Sequence, residues 1–345
     1  MFTKMKTGHY MLLVATIVFI ACGNHEKSAS PDVSIKASVD TICSLDKCVY
    51  PIQIERVGDK LIVLDIGNQT HRLSAYSLDG ELIHMFGDVG KAANEVNEVS
   101  HFFRMDDNTI SVHKHGGILY YRLDSINESI IKYEYKRFDQ AIVSVHDIYA
   151  DDKGVLCLSN SLDERFSYKY NRGQTLIYKS YPDACVDNSN DQQAVFNYAP
   201  KYDVDMTENR FCIGTYIGGV LETFKISSSG IEPIGMNKLF QSKYTKFDNG
   251  AVSWNEKSLI GFDAISAEPD HIYTLLSGAK GNRLLKGEQD SFTDKITVFN
   301  WDATINSEIH IGHNMLSMCV SEERNELYAI CYKRGGSFYL IHATW

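Results

Sequence analysis

The sequence predicts an all-β chain folded as a six-bladed β-propeller of four-stranded antiparallel blades, and three observations carry that prediction. A short acidic turn runs into an apolar, β-rich run six times: Val57-Gly-Asp-Lys-Leu61, Met105-Asp-Asp-Asn-Thr-Ile110, Ala150-Asp-Asp-Lys-Gly-Val155, Met206-Thr-Glu-Asn-Arg-Phe211, Ala267-Glu-Pro-Asp-His-Ile272 and Ser321-Glu-Glu-Arg-Asn-Glu-Leu327. The runs begin at residues 61, 110, 155, 211, 272 and 327, in steps of 49, 45, 56, 61 and 55. A recurrence of roughly 40 to 60 residues with several strands per unit marks a radial β array. Tight hairpin signals also recur between the runs, at Leu78-Asp-Gly80, Asp124-Ser-Ile-Asn127, Asn171-Arg-Gly173, Ser227-Ser-Ser-Gly230 and Asp302-Ala-Thr304.

Taken from the N-terminus, Lys4 and Lys6 precede an apolar stretch from Met11 to Ala21 that stops at Cys22. Eleven residues are too few for a hydrocarbon core of about 30 Å, which takes roughly 20 helical residues, so residues 1–21 read as a secretory signal. The run Phe19-Ile20-Ala21-Cys22-Gly23 resembles the lipobox of bacterial lipoproteins. That resemblance implies a lipid, a palmitate-type acyl chain among its parts, on Cys22, and an outer-membrane location in a Gram-negative envelope. Phe19 stands where Leu is commoner. A plain secreted protein cleaved nearby is the alternative. Residues 22–32 are polar and would form a flexible tether reaching about 30 Å at roughly 3.3 Å per extended residue. The side of the membrane that the domain faces stays open.

The propeller is expected over residues 33–345. In its first unit, residues 52–57 alternate as strand a and residues 61–64 form the short apolar strand b. Residues 71–77 give strand c, Leu78-Asp79-Gly80 turns the chain, and residues 81–86 give strand d. Glycine pairs at Gly116-Gly117, Gly218-Gly219 and Gly335-Gly336 supply the positive φ of tight b-to-c reversals. The sixth unit has only three strands before the chain ends at Trp345. An open sheet edge invites aggregation, so the unassigned run Val33–Ser44 is expected to close the last blade.

The first unit resembles the NHL-like and TolB-like six-bladed propeller lipoproteins, on Leu61-Ile-Val-Leu-Asp-Ile-Gly-Asn68 and Leu73-Ser-Ala-Tyr-Ser-Leu-Asp-Gly-Glu-Leu-Ile-His-Met-Phe-Gly87. The linker Gly90-Lys-Ala-Ala-Asn-Glu95 lacks the family's Pro and keeps its Glu. The resemblance implies fold and location, and it leaves activity unassigned.

The net charge of −10 argues against nucleic acid or an anionic bilayer surface as partner, since both reward a basic face. Cys157, Cys212 and Cys331 lie within apolar strands and read as buried small hydrophobes. Cys43 and Cys48 could close a small disulfide loop, which spacing alone does not decide.

Catalytic signatures are few. Gly87-Asp-Val-Gly90-Lys91 misses the phosphate-loop spacing, because Met85 and Ala92 stand where Gly and Ser or Thr are needed. Neither a Gly-x-Ser-x-Gly elbow nor a His-Glu-x-x-His pair occurs. Asp106-Asp107 and Asp151-Asp152 lack calcium-loop spacing and read as solvated turns.

In a propeller the b-to-c and d-to-a connections share the face at the channel mouth. That face would carry the long connections Tyr181–Tyr202, Phe240–Trp254 and Ser277–Asp294, and loops of this length are usually functional or disordered. It would gather Asn94, Gln192, Phe196, Tyr198, Tyr216, Tyr244, Phe247, Asn249 and Trp254 with the cations Lys114, Arg165, Lys280, Lys333 and Arg334. Rings supply buried area and polar groups supply direction, which suits a peptide or sugar; packing of the loops on one another explains the same residues equally well. The expected ligand-binding set is Tyr216, Trp254, Arg334, Lys333, Tyr198, Phe247, Asn249 and His115.

The expected function is therefore non-catalytic binding of a peptide, protein segment or glycan by a monomer that needs no cofactor, no nucleic acid and no membrane contact beyond its anchor. The alternative is a metal-assisted lyase or hydrolase using His71, His113, His115 and His313.

Overall fold

The computed structural model describes residues 33–92, 95–96, 99, 101–114, 117–124, 129–137, 145–150, 153–159, 164–170, 173–182, 191–205, 207–288 and 291–345. The N-terminal segment contributes β1 (Ser34–Lys36) and β2 (Ser38–Ser44). Blade one is β3 (Pro51–Val57), β4 (Lys60–Asp65), β5 (His71–Ser77) and β6 (Leu82–Asp88); blade two is β7 (Phe102–Arg104), β8 (Thr109–Lys114), β9 (Gly117–Asp124) and β10 (Ser129–Arg137). Blade three is β11 (Val145–Ala150), β12 (Gly154–Ser159), β13 (Phe166–Tyr170) and β14 (Thr175–Tyr178); blade four is β15 (Lys201–Asp205), β16 (Arg210–Gly214), β17 (Val220–Ile226) and β18 (Ile231–Lys238). After a small hairpin of β19 (Thr245–Lys246) and β20 (Val252–Ser253), blade five comprises β21 (Phe262–Ala267), β22 (His271–Leu276), β23 (Thr293–Asn300) and the first part of β24 (Ile305–Ser321). Blade six comprises the rest of β24, β25 (Glu326–Lys333), β26 (Ser337–Thr344) and β2.

All six acidic turns join a first strand to a second. The turn after β7 shows why they are acidic: Asp106 and Asp107 are exposed, and the Asp106 carboxylate accepts the Asn108 N–H at 2.7 Å. Asp151 and Asp152 lie outside the described residues. The second strands are apolar runs because a blade is packed on both faces, so every residue of β4 is buried. Gly218 and Gly219 have φ of +90° and +57°, and Gly335 and Gly336 of +119° and +98°; a Cβ in that region clashes with its own backbone.

The blades close into a ring through six apolar interfaces, each made of residues from two neighbours. Leu64 and Phe86 meet Phe102 and Val112 between blades one and two, and Ile118 and Tyr120 meet Cys157 between two and three. Leu158 and Phe166 meet Phe211 and Phe224 between three and four, and Cys212 and Leu221 meet Phe262 and Phe299 between four and five. Ile296 and Ile309 meet Met318 and Ile341 between five and six. Ile330 and Leu340 meet Ile54 and Val63 between six and one. Cys157, Cys212 and Cys331 are at most 4 % exposed, as small hydrophobes in these seams.

The N-terminal run closes the last blade as expected, β2 pairing antiparallel with β26 from Ser38↔Thr344 to Ser44↔Tyr339. It also does more than expected. The run breaks at Ala37, and β1 lies parallel to β24, with Ser34↔Glu308 through Lys36↔His310. The expected single strand is therefore two, because the outer edge of blade five needs cover as much as that of blade six. Blades five and six consequently share one continuous sheet, in which β24 is the last strand of one blade and the first of the next.

Among the described residues the inner strands of neighbouring blades share no backbone ladder, and side chains supply the missing partners. The Gln53 amide donates to Phe102 O at 2.7 Å and accepts from Phe102 N at 3.0 Å, in the manner of a strand pair between blades one and two. Asp203 accepts from Ala267 N at 2.7 Å between four and five, Ser266 Oγ from Val320 N at 3.4 Å between five and six, and Ser317 Oγ from Ile54 N at 3.2 Å between six and one. Buried backbone groups are costly when unpaired, so these polar side chains on inner strands hold the ring around its axis.

Candidate functional site

The inner strands enclose an axial channel with a cavity at each end. The cavity on the face of the long connections has a volume of about 430 Å³ and is lined by Tyr50, Ile52, Gln53, Ile66, His101, Ala199 to Asp203, Asp263 to Ile265, Ser317 and Met318. The cavity on the acidic-turn face, about 520 Å³, is lined by Arg56, Arg104, Asp205, Glu268 and neighbours. Glu55 and Asp203 line both, so they mark the middle of the channel.

The channel is lined by several carboxyl groups, and burial shifts their titration. Burial holds the Asp203 carboxyl up at about 7 against the hydrogen bonds from Ala267 N and Val204 N. Burial also raises Asp263 to about 7, with the Lys201 ammonium opposing it. Glu55 is pushed well above the carboxylate range by burial and then by the Asp203 charge, and Glu268 rises to about 8 chiefly through burial. His101 moves the other way: burial and Lys201 push it down to about 3, so it is a neutral imidazole. Its ring packs edge-on against Phe103 at 4.6 Å, and its Nε2 lies 3.3 Å from the Gln53 amide nitrogen. Asp263 Oδ2 is a buried oxygen that accepts no hydrogen bond among the described residues.

The rim of the mouth-side cavity is apolar and aromatic. The Asp65 carboxylate, itself buried, accepts the backbone N–H groups of Val49, Tyr50 and Gly67 at 2.7, 2.8 and 2.9 Å. Those bonds pin Tyr50 at the rim, where it is 48 % exposed beside Val49 and Ile66. Tyr216 is near Tyr50 and Asp263; its carbonyl accepts Gly261 N at 2.6 Å, two residues before Asp263, and its ring meets Tyr198 at 6.1 Å. Burial and then the nearby Asp263, Tyr198 and Tyr50 raise the Tyr216 phenol. Ala199, next to Tyr198, holds φ at +47° as it lines the cavity; non-glycine residues in that region are uncommon.

Of the expected binding residues, Tyr198 and Tyr216 therefore come together beside the mouth. Phe247 and Asn249 form the exposed end of the β19–β20 hairpin, where the Asn249 side-chain Oδ1 accepts Ala251 N at 3.0 Å. Trp254 is half-buried just beyond β20. Lys333 and Arg334 are exposed at the β25–β26 turn, and Arg334 donates to Gly287 O at 2.8 Å. His115 and Asn94 lie outside the described residues, as does Cys22. The long connections also pack on one another: Val195, Val252, Tyr198 and Tyr244 form one cluster, and Phe196, Val220 and Tyr181 another. Tyr244 and Lys246 both bond Asp191.

Arg165, expected among the mouth cations, is instead a buried strut. It pairs with Glu222 and lies over the rings of Phe166, Tyr181 and Phe196. The histidines of the metal alternative keep local company. His71 faces Asp88 and Thr70, His313 bonds the Tyr339 hydroxyl at 2.9 Å, and His113 sits opposite Ile118 in blade two. Among the described residues no three His, Cys, Asp or Glu side chains stand close enough to hold a metal ion. Cys43 and Cys48 are free thiols here, and Cys48 Sγ lies 3.6 Å from the Tyr76 hydroxyl.

Sequence reading missed the channel residues Gln53, Glu55, His101, Asp203 and Asp263. A signal existed: in Ile52-Gln53-Ile54-Glu55 the polar residues alternate with apolar ones, and in an innermost strand the polar side of the alternation meets the axis.

No curated protein matches the chain. Among solved structures, a DUF4221 family member from Bacteroides vulgatus aligns at a TM-score of 0.55 and 14 % identity, over 90 % of this chain and 96 % of that one. A Bacteroides fragilis protein named as exported aligns at 0.52 and 12 %, over 90 % and 98 %. Likeness at this identity speaks for the fold alone. The sequence profile of the TolB-like 6-blade propeller-like family spans residues 34–323, and the chain belongs to that family.

Proposed function

We propose that this is an exported cell-envelope protein, anchored through a lipid on Cys22, whose propeller binds a peptide, protein segment or glycan at the mouth-side end of its channel without catalysing a reaction. One observation carries the reading: Tyr50 and Ile66 stand exposed at the rim of a cavity of about 430 Å³ whose walls mix apolar and polar groups, and Tyr216 lies near Tyr50 and Asp263. Small-ligand sites are commonly concave, of roughly 300–1,000 Å³, with apolar walls and a few convergent polar groups. The name of the exported Bacteroides protein agrees with the location, as does the leader ending at Cys22. Among the described residues no helix is long and apolar enough to cross a membrane.

The full chain in detergent, applied to peptide and glycan arrays, should retain a subset of probes, and Tyr216→Ala together with Tyr50→Ala should abolish retention. Retention unchanged by both substitutions would remove the mouth from consideration. Incorporation of radiolabelled palmitate, lost in Cys22→Ser, tests the anchor separately.

A further inference from the structure

We propose that Cys43 and Cys48 join as a disulfide in the exported protein, a bond that staples the end of the ring-closing strand β2 to the turn leading into blade one. An oxidising compartment follows from the export proposed above. The bond itself is tested on the purified chain and does not depend on what the mouth binds.

Accessibility selects this pair. Of the six cysteines among the described residues, Cys157, Cys212, Cys319 and Cys331 are at most 5 % exposed and lie inside the seams between blades. Cys43 and Cys48 are the two that solvent reaches. The backbone then turns one back toward the other. The chain stays on β26 as far as Leu45, whose N–H donates to Phe338 O at 2.9 Å, and the Cys48 N–H donates to Leu45 O at 2.9 Å. A turn of this kind holds its first and last Cα atoms within about 7 Å, so Cys48 returns beside a residue only two places past Cys43.

Both side chains also rest on the same hairpin of blade one. Cys48 Sγ lies 3.6 Å from the Tyr76 hydroxyl, and a Cβ placed on Gly80 would stand 2.8 Å from Cys43 Sγ. Tyr76 and Gly80 flank one tight turn, in which Gly80 N donates to Ser77 O at 3.0 Å. Both cysteines pack against the apolar cluster between blades six and one, and Cys43 is near enough to bear on the ionisation of Cys48.

In the structure the two are free thiols, so joining them takes a disulfide oxidant such as glutathione disulfide. One cysteine thiolate attacks the oxidant's S–S bond, the second displaces the resulting mixed disulfide, and the two cysteine protons end on the two thiols released. Burial raises both cysteines, Cys48 to about 11. A thiol of high pKa leaves slowly, so the bond once made resists reduction, as a structural disulfide does.

The test exposes the native full chain in detergent to glutathione disulfide, blocks the remaining thiols with iodoacetamide in denaturant, and digests with trypsin without reductant. Lys47 lies between the two cysteines, so cleavage there leaves the disulfide as the sole link between residues 37–47 and 48–56. The expected product is that joined pair, two hydrogens lighter than the sum of its parts and separated by reductant. Oxidation should also raise the urea midpoint by roughly 0.7 M for so short a loop, a shift absent from Cys43→Ser and from Cys48→Ser. Two separate alkylated peptides, glutathione adducts without the link, a bond from either thiol to any other cysteine, or a joined pair formed only in urea each overturn the disulfide. A midpoint unmoved by oxidation overturns the staple.

Discussion

The Arg165–Glu222 pair is the sharpest place to test how the third and fourth blades are joined. Arg165 precedes β13 and Glu222 lies in β17, and their side chains are only 2 % and 8 % exposed. The guanidinium donates to both Glu222 oxygens and to Ser180 O, and it stacks on three rings with its carbon 4.6–4.9 Å from their centres. Glu222→Leu would leave that cation enclosed by Phe166, Tyr181 and Phe196 with one carbonyl for a partner. Removing one member of a buried pair costs about 3–5 kcal/mol, whereas replacing both by apolar residues of similar volume is often neutral.

Glu222→Leu should therefore lose about 4 kcal/mol, Arg165→Met a similar amount, and the double variant much less than their sum. With an m-value of about 3 kcal/mol/M, each single change should move the urea midpoint down by roughly 1.3 M. Equilibrium unfolding followed by tyrosine and tryptophan fluorescence reads this directly. Single-variant losses below about 1 kcal/mol, or a double variant at the additive sum, would show that the pair is not the strut described here.

The buried carboxyls predict a stability that falls as pH rises. Asp203 and Asp263, raised to about 7, and Glu268, raised to about 8, hold protons in the folded chain that the unfolded chain gives up near pH 4. Their contribution is complete below that pH and is lost as pH passes 7 to 8; a group with folded pKa 7 loses about 1.4 kcal/mol between pH 6 and 8. The lowered His101 opposes part of this, because the unfolded imidazole, with a pKa near 6.5, still binds protons at pH 6 and releases them by pH 8, a gain of about 0.8 kcal/mol against the larger carboxyl loss. Urea midpoints should drop from pH 6 to pH 9, and Asp263→Asn should flatten part of the drop; a midpoint that rises over this interval refutes the assignment. Gln53→Ala should cost about 2–6 kcal/mol, because it orphans both backbone groups of Phe102 at once, at about 1–3 kcal/mol each. Gln53→Ala with wild-type stability would mean that the amide clip between blades one and two contributes nothing.

Local order was legible wherever it rests on neighbours along the chain. The acidic turns, the hairpin signals and the glycine pairs each state their geometry within four to six residues, and those that fall among the described residues stand at the joints expected. Gly218 and Gly219 needed only their own positive φ to be identified. Closure by the N-terminal strand was legible as well, since a three-stranded unit and an unassigned apolar run imply one another. The break at Ala37 was not, because it depends on the exposed edge of β24, some 270 residues away.

The site behaves in the opposite way. Arg165 reads from its sequence as a loop cation, yet its role comes from Glu222 and from three rings drawn from separate connections. Gln53, Glu55, His101, Asp203 and Asp263 carry no motif. They become a cavity only because each stands on the innermost strand of its blade or at that strand's entrance, so that ring closure brings them together. A repeating β unit, its joints and the means of closing it could be read from residue order alone, since strand alternation and turn chemistry are short-range physics. Which polar residues face the axis and become buried there is set by ring closure, because burial and charge in a channel belong to the ring as a whole.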